Sequence, residues 1–345
     1  MTQYLDLVAT AIAADIVPIT GENRILTYFG LQVINSNPRN GIKAIIQGVK
    51  KNILTITDVV FIIAPRINAA GRMKHGNYAV ELLTEMDYET AISFAASIEK
   101  FNIERKEIDK KITYEALQQI EAADEKEKFS TVVYSEDWHK GVIGIVASRL
   151  IESYYRPTLV FTKSGEKLAA SARSVKGFDV YEALEQCSEH LEQFGGHKYA
   201  AGLTLSPDQY IPFKEKFEAV VKKTIDKELL IPEIAIDSPL ELSDITPKFF
   251  RILKQMGPFG PKNMKPVFTT NAVRDNGYGK RVGADKSHLK LNIINGADQK
   301  TYNAIGFGLG DKITSTQNDF DIAYNLDENE WNGNTSIQLL LKDIK

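Results

Sequence analysis

The sequence predicts a multidomain α/β chain that ends in a small all-β domain. Three observations carry this. Strand-like and helix-like segments alternate between about residues 129 and 230, a long segment from Asp87 to about Ala123 holds neither Pro nor Gly, and short strand-like pieces crowd the residues after Pro232. The 345 residues suffice for two or three domains at roughly 100–200 residues each. With 43% hydrophobic and 25% charged residues, the chain can build real cores, and wholesale disorder is excluded. Lys and Arg total 42 against 45 Asp and Glu, a net charge of −3, which rules out a uniformly basic coat but not a local basic face. The single cysteine, Cys187, excludes an intrachain disulfide and a Cys-based zinc site. No apolar run reaches the ~18 residues of a membrane span, and Met1-Thr2-Gln3-Tyr4-Leu5-Asp6 lacks the basic start of a signal peptide. The expectation is a reduced, cytoplasmic protein without membrane contact.

The elements follow in order. Leu5 to Ala14 is an apolar run that ends at Ala14-Asp15-Ile16-Val17-Pro18, and Gly21-Glu22-Asn23-Arg24 makes a loop. A helix-like stretch runs from Arg24 to Asn35 and is closed by Asn37-Pro38, and Ile42 to Val49 reads as a shorter helix. Pro65 to Arg72 reads as a loop. From Asp87, a plausible N-cap, the positions Phe94, Ile98, Phe101, Ile108 and Ile112 alternate by three and four, apart from a slot filled by Arg105. This is one amphipathic helix, about 52 Å long if it holds 35 residues at 1.5 Å each. Residues 81–129 carry 13 acidic and 7 basic side chains, which fits a solvated face on a helix joining two domains. Thr131–Tyr134, Thr158–Phe161 and residues 169–174 read as strands, Gly141–Glu152 and Val180–Phe194 as helices, which argues a partly parallel sheet. Beyond Pro232, Val267–Val273, His288–Ile294, Thr301–Phe307, Phe320–Leu326 and Thr335–Leu341 are separated by Gly, Asn and Asp turns. Five short strands in about 80 residues suggest an oligonucleotide-binding (OB) type of barrel.

Several residues stand out chemically. Asp15 sits in an apolar context, where an ionised carboxylate is costly unless paired or bound to metal; the alternative is an exposed carboxylate capping the next turn. Arg66, Asn68 and Arg72, set among Ala and Gly, offer guanidinium forks suited to phosphate oxygens, or they are surface residues beside a turn. Residues 138–176 hold seven basic and two acidic groups, a local balance of +5 in a chain that is negative overall. Within them Trp138-His139-Lys140-Gly141-Val142-Ile143-Gly144 runs from a strand end into a helix start, a natural anion site. Ser171 and Arg173 put a hydroxyl and a guanidinium two residues apart. In Phe194-Gly195-Gly196-His197 the glycines permit unusual backbone geometry and expose the imidazole. A Walker-type phosphate loop, a Gly-x-Ser-x-Gly elbow and a His-Glu-x-x-His motif are missing. Gly306-Phe307-Gly308-Leu309-Gly310 lacks Rossmann spacing and reads as barrel turns.

Taken in order, these motifs resemble those of the RecJ-type single-strand-specific exonucleases of the DHH phosphoesterase superfamily. The matching stretches are Leu5-Asp6-Leu7-Val8-Ala9 into Ala14–Pro18, Pro65–Arg72, Trp138–Gly144, Ser171–Ser174, Phe194–Gly202, and Gly257-Pro258-Phe259-Gly260 with Pro266-Val267-Phe268. The likeness covers essentially the whole chain. It implies the C-terminal part of a DHH catalytic domain over residues 1–80, a connecting helix over 81–125, a DHH-associated domain over 126–230 and an OB-like domain over 231–345. By the resemblance, Asp15 is a ligand of catalytic Mn²⁺ or Mg²⁺, and the Ser171–Arg173 segment holds the 5′-phosphate end of the strand. Arg66, Asn68, Arg72, His139, Lys140, Gly195, Gly196 and His197 would line the DNA path.

One departure is large. The family's other metal ligands lie in earlier aspartate motifs and in the Asp-His-His triplet, and here His75, His139, His190, His197 and His288 are never adjacent. Two-metal hydrolysis needs several carboxylates and histidines, so the metal site is incomplete and no catalytic residue is assigned. The reading is the C-terminal part of a RecJ-like nuclease, made as a truncated piece or read from an internal start, and inactive alone. Single-stranded DNA is the expected partner, with a single-strand-binding protein as a further one, and the chain is expected to be monomeric. Two rivals remain: a non-catalytic single-strand-binding protein, and a phosphoesterase for small nucleotides.

Overall fold

A computed structural model describes residues 2–295, 298–316, 318–331 and 333–345. The helices in chain order are α1 (Leu5–Ala14), α2 (Gly21–Ser36), α3 (Asn40–Ile45), α4 (Ile56–Asp58), α5 (Ala64–Met73), α6 (Asn77–Thr84), α7 (Tyr88–Ala122), α8 (Ile143–Ser153), α9 (Val180–Glu185), α10 (Tyr210–Thr224) and α11 (Pro247–Gln255). The chain divides into two compact units: Met1–Pro38, Lys50–Phe61 and Glu233–Lys345 form one, Arg39–Val49 and Ile62–Pro232 the other.

In the first unit α1 and α2 pack closely. A β-carbon added at Gly30 would lie 2.3 Å from the Leu5 carbonyl oxygen and 2.6 Å from the Ala9 Cβ, so only glycine allows this approach. The guanidinium of Arg24 donates to the carbonyls of Gln255, Met256 and Gly257 after α11. The strands of this unit are β6 (Ser238–Pro239), β7 (Phe268–Asp275), β8 (Lys280–Val282), β9 (His288–Asn295), β10 (Asp298–Gly306), β11 (Phe320–Trp331) and β12 (Asn334–Ile344). They run in the order β6-β7-β11-β12-β10-β9-β8, and the end of β7 also pairs with β9, turning the sheet round on itself. The inward side chains Val273, Leu289, Leu291, Ala304, Ile322, Tyr324 and Leu339 alternate with outward polar ones and form its core. All five strands expected here are present, in an OB-like arrangement.

The second unit is built on α7. Asp87 caps it by accepting from the Thr90 backbone N–H, and the helix runs its full 35 residues. Ala91, Ile98, Ile112, Ala116 and Ile120 bury one stripe, continued through its middle by Asn102, Arg105 and Asp109. The five-stranded sheet has the order β1-β2-β3-β5-β4, with β1 (Thr131–Tyr134), β2 (Thr158–Ser164), β3 (Lys167–Arg173), β4 (Gln193–His197) and β5 (Ala200–Leu205). Only β1 and β2 are parallel; the rest pair antiparallel. On one face Leu159, Phe161, Ala170 and Leu203 pack with α9 and α10 through Val180, Leu184, Phe213 and Phe217. On the other, Val133 and Val160 pack with α7 and α8 through Ile112, Ala116, Val146 and Leu150. Cys187 is buried in the first of these cores, and burial pushes its thiol up to about 12, as for an inert core thiol.

Three sequence expectations need correction. Gly21–Arg24 is not a loop but the first turn of α2, which begins at Gly21. Pro65–Arg72 is not a loop but lies within α5, with Pro65 in the first turn, where the missing N–H costs nothing and its fixed φ suits a helix. Val180–Phe194 is not one helix: α9 stops at Glu185, and Phe194 already belongs to β4. The paired glycines at 195 and 196 favour an extended edge strand over a helix end.

Candidate nucleic-acid interface

The β3 register sets the geometry. Ser171 and Arg173 alternate with the buried Ala170 and Ala172, so both face the α7 and α8 side of the sheet. Cross-strand partners share a face, which places Ser171–Gly202–Gly195 in one row and Arg173–Ala200–His197 in the next. The floor leading from Arg173 to the exposed His197 is therefore glycine and alanine, and Gly202, Gly195 and His197 are exposed. Gly196 has φ +154, and an added β-carbon would lie 2.3 Å from the Ala200 carbonyl oxygen, so this edge admits no side chain there. His197 accepts from the Tyr199 backbone N–H and stands edge-on to the Tyr199 ring.

At the other end, Arg173 Nη1 donates to Ser171 Oγ at 2.9 Å and to the Ala172 carbonyl at 2.8 Å. The first turn of α8 presses on this pair: a β-carbon at Gly144 would sit 2.9 Å from Ser171 Oγ and 3.0 Å from Arg173 Nη2. No side chain caps α8, but the Ile143 and Ile145 N–H groups already donate to the carbonyls of His139 and Val142, so an anion here would feel the helix end chiefly through its dipole. Gly141 also meets Arg72, whose Nη1 donates to the Gly141 carbonyl at 3.2 Å. Thus α5, the turn before α8, and β3 converge on one spot.

The electrostatics agree. Desolvation lowers the pKa of Arg173, and the nearby Arg72 lowers it further; desolvation also lowers Arg72. Arg105 is lowered by burial, with Arg72 and Arg149 pushing the same way and Asp109 opposing them. Arginines stay charged at such sites, so the cluster holds crowded, partly desolvated positive charge that an anion would relieve.

The other residues picked out in the sequence lie as follows. Arg66 is tied down by Glu99 at 2.5 Å and donates to the Ile62 carbonyl. Asn68 is exposed on α5 one turn before Arg72. The His139 ring accepts the Gly141 N–H, and exposed Lys140 reaches Ser164 Oγ at 3.1 Å. Asp15, in the other unit, is exposed at the C-cap of α1, so the cost of burying a carboxylate does not apply to it. That argument transfers to Asp6, which is 1% exposed and was not singled out by the sequence. Among the described residues no three of His, Cys, Asp and Glu come together to hold a metal ion. The donor set here does not by itself fit the two-metal chemistry the resemblance implies.

Sequence reasoning also missed Asn102 and Asp109, and it counted Arg149 only among the seven basic groups of residues 138–176. The signal was present in α7: Arg105 fills an apolar slot, and Asp109 lies four residues on, the spacing of a helical ion pair. Among the described residues no helix is long and apolar enough to cross a membrane.

Comparison with known proteins gives a consistent picture. A family model described as the DHHA1 domain matches residues 127–223, and one described as the RecJ OB domain matches residues 236–343. The single-stranded-DNA-specific exonuclease RecJ of Bacillus subtilis is 34% identical over 348 residues, covering 99% of this chain and 44% of the relative. The Escherichia coli exonuclease of the same name is 32% identical over 359 residues, 100% of this chain and 61% of the relative. The crystal structure of RecJ from Thermus thermophilus in complex with Mg²⁺ superposes with a TM-score of 0.86 at 28% identity, covering 100% of this chain and 52% of that one. The chain thus spans about half the length of the relatives it matches.

Proposed function

The chain belongs to the RecJ family, matching the C-terminal portion of its members, and on that premise we propose that it is the strand-holding part of a metal-dependent 5′→3′ single-stranded-DNA exonuclease. The observation that carries the proposal is the convergence of Arg72, Ser171 and Arg173 on the uncapped start of α8. Arg173 and Ser171 grip the terminal 5′-phosphate, Arg72 neutralises it from α5, and the Ala200–Gly202–Gly195 floor lets the strand lie close to the sheet on its way to His197. The OB-like unit gives the strand a further platform. Asn68, His139 and Lys140 border the path, while Arg66, clamped by Glu99, shapes it more than it binds. As inferred from the sequence, the DHH end occupies residues 1–80, the linking helix 81–125, the DHH-associated domain 126–230 and the OB-like domain 231–345.

When bound, Mn²⁺ or Mg²⁺ would supply the activated water; within this proposal Asp15 is one contributor to that site, and the remaining ligands come from the part of the longer relatives that this chain does not span. The substrate is single-stranded DNA, the setting is the cytoplasm, and the working state is a monomer, with a single-strand-binding protein as a companion on the strand. The experiment is a direct comparison of nuclease turnover and binding. With Mn²⁺ or Mg²⁺ present, the chain is expected to bind a 5′-phosphorylated single strand and to show no more than trace cleavage, because the ligand set is incomplete. Robust cleavage that disappears in Asp15→Ala would require a second ligand set within these residues and would overturn the proposal.

A further inference from the structure

The polar break in the apolar stripe of α7 has a geometry of its own. Asp109 is fully buried, and its carboxylate lies 2.8 Å from Arg149 of α8 and 3.6 Å from Arg105. Arg105 in turn donates to Asn102 Oδ1 at 2.8 Å. Neither Asp109 oxygen makes a hydrogen bond of normal geometry among the described atoms, so the two guanidiniums compensate the buried charge mainly by proximity. A buried carboxylate is costly, and well-packed apolar residues would serve stability at least as well. Its place is therefore informative: the helix that carries Arg149 is the one whose first turn meets Ser171 and Arg173. Arg149 remains exposed while one of its nitrogens is held by Asp109.

We propose that Arg149 is a further phosphate-binding residue, taking a phosphodiester of the same single strand beside the Arg72–Arg173 pocket, and that Asp109 is the positioning residue that aims it. This rests on the reading of that pocket as a strand-binding site. Asp109 draws one nitrogen of Arg149 to 2.8 Å by ion pairing and leaves the other edge of the fork for phosphate oxygens, which a planar guanidinium can serve at the same time. The lowered pKa of Arg105, to which both Arg72 and Arg149 contribute, is consistent with one continuous positive field.

Asp109→Asn removes a negative charge, so simple electrostatics expects tighter DNA binding. Positioning expects the reverse. Fluorescence anisotropy with a 5′-phosphorylated oligothymidylate should show Arg149→Ala weakening binding about five- to tenfold, with Asp109→Asn weakening it about three- to tenfold. In an Arg149→Ala background, Asp109→Asn should have almost no additional effect, because its influence passes through that arginine. Binding that tightens in Asp109→Asn, or a loss that persists undiminished in the Arg149→Ala background, overturns the positioning role. If Asp109→Asn does not fold, as judged by circular dichroism, Arg149→Ala and Arg149→Lys decide: lysine should restore only part of the loss, and unchanged binding in both variants rejects the proposal. Arg173→Ala is measured alongside. A loss there without one in Arg149→Ala rejects this inference alone, whereas no loss in Arg173→Ala rejects the pocket itself.

Discussion

Replacing Arg173 by alanine is expected to weaken binding of a 5′-phosphorylated single strand by about ten- to a hundredfold, from charge-assisted hydrogen bonds worth roughly 1.5–3 kcal/mol each. A terminal phosphate carries more charge than an internal phosphodiester, so the same substitution should affect a 5′-hydroxyl strand much less. The structure explains why one residue bears so much. Arg173 Nη1 is spent on Ser171 Oγ and the Ala172 carbonyl, which locks the plane of the fork and leaves Nη2 toward the first turn of α8. Its partly desolvated state, with Arg72 nearby, means that the anion relieves an existing repulsion as well as forming new bonds. Titrating both strands against wild type and variant separates the possibilities. Equal losses would make Arg173 a general backbone contact and would move end recognition elsewhere.

The second large effect should come from a residue with no side chain. In Gly141→Ala the new methyl would lie 2.3 Å from the Arg72 carbonyl oxygen and 3.1 Å from the His139 ring, and backbone cannot yield cheaply at such a distance. The C-terminal end of α5 and the turn before α8 would have to separate, taking Arg72 away from Ser171 and Arg173. Overpacking of this kind costs about 1–3 kcal/mol of stability, and losing the Arg72 contact should weaken 5′-phosphate binding by about tenfold as well. Gly76→Ala is the matched control, since its β-carbon would meet nothing within 4 Å and its φ of −59° suits alanine. Thermal unfolding and binding of the two variants can be compared directly. If Gly141→Ala behaves like Gly76→Ala in both, the close approach of α5 does not set the pocket.

Periodicity made much of the fold legible. The length and N-cap of α7 followed from the Asp87 signal and the absence of Pro and Gly, and the five barrel strands followed from their turns. The Pro65–Arg72 helix was missed because its small residues and glycine look like loop composition, whereas Pro65 in the first turn was the signal in favour of a helix. The end of α9 was missed because the local sequence from Val180 to Phe194 carries no strong stop before the glycines. In the site, Ser171 and Arg173 could be paired from their alternate spacing alone. Their meeting with Arg72 and Gly144 could not, because it depends on tertiary contacts with segments about a hundred and about thirty residues away. Burial reverses the emphasis at the start of the chain: Asp15 drew attention by its apolar neighbours, yet Asp6, nine residues earlier, is the carboxylate taken out of water.

The central claim is that a chain of net charge −3 binds single-stranded DNA through a local cluster of arginines. Salt dependence tests it most directly, because phosphate contacts release counterions whatever the overall charge. If Arg72, Arg149, Arg173 and Lys140 account for about four phosphate contacts, log K should fall with log salt at a slope of about −3, or roughly fiftyfold between about 50 and 200 mM. The slope should shrink by about one contact in Arg173→Ala. A strand that binds equally well across that range would contradict the account and would place recognition on base stacking by the OB-like unit instead.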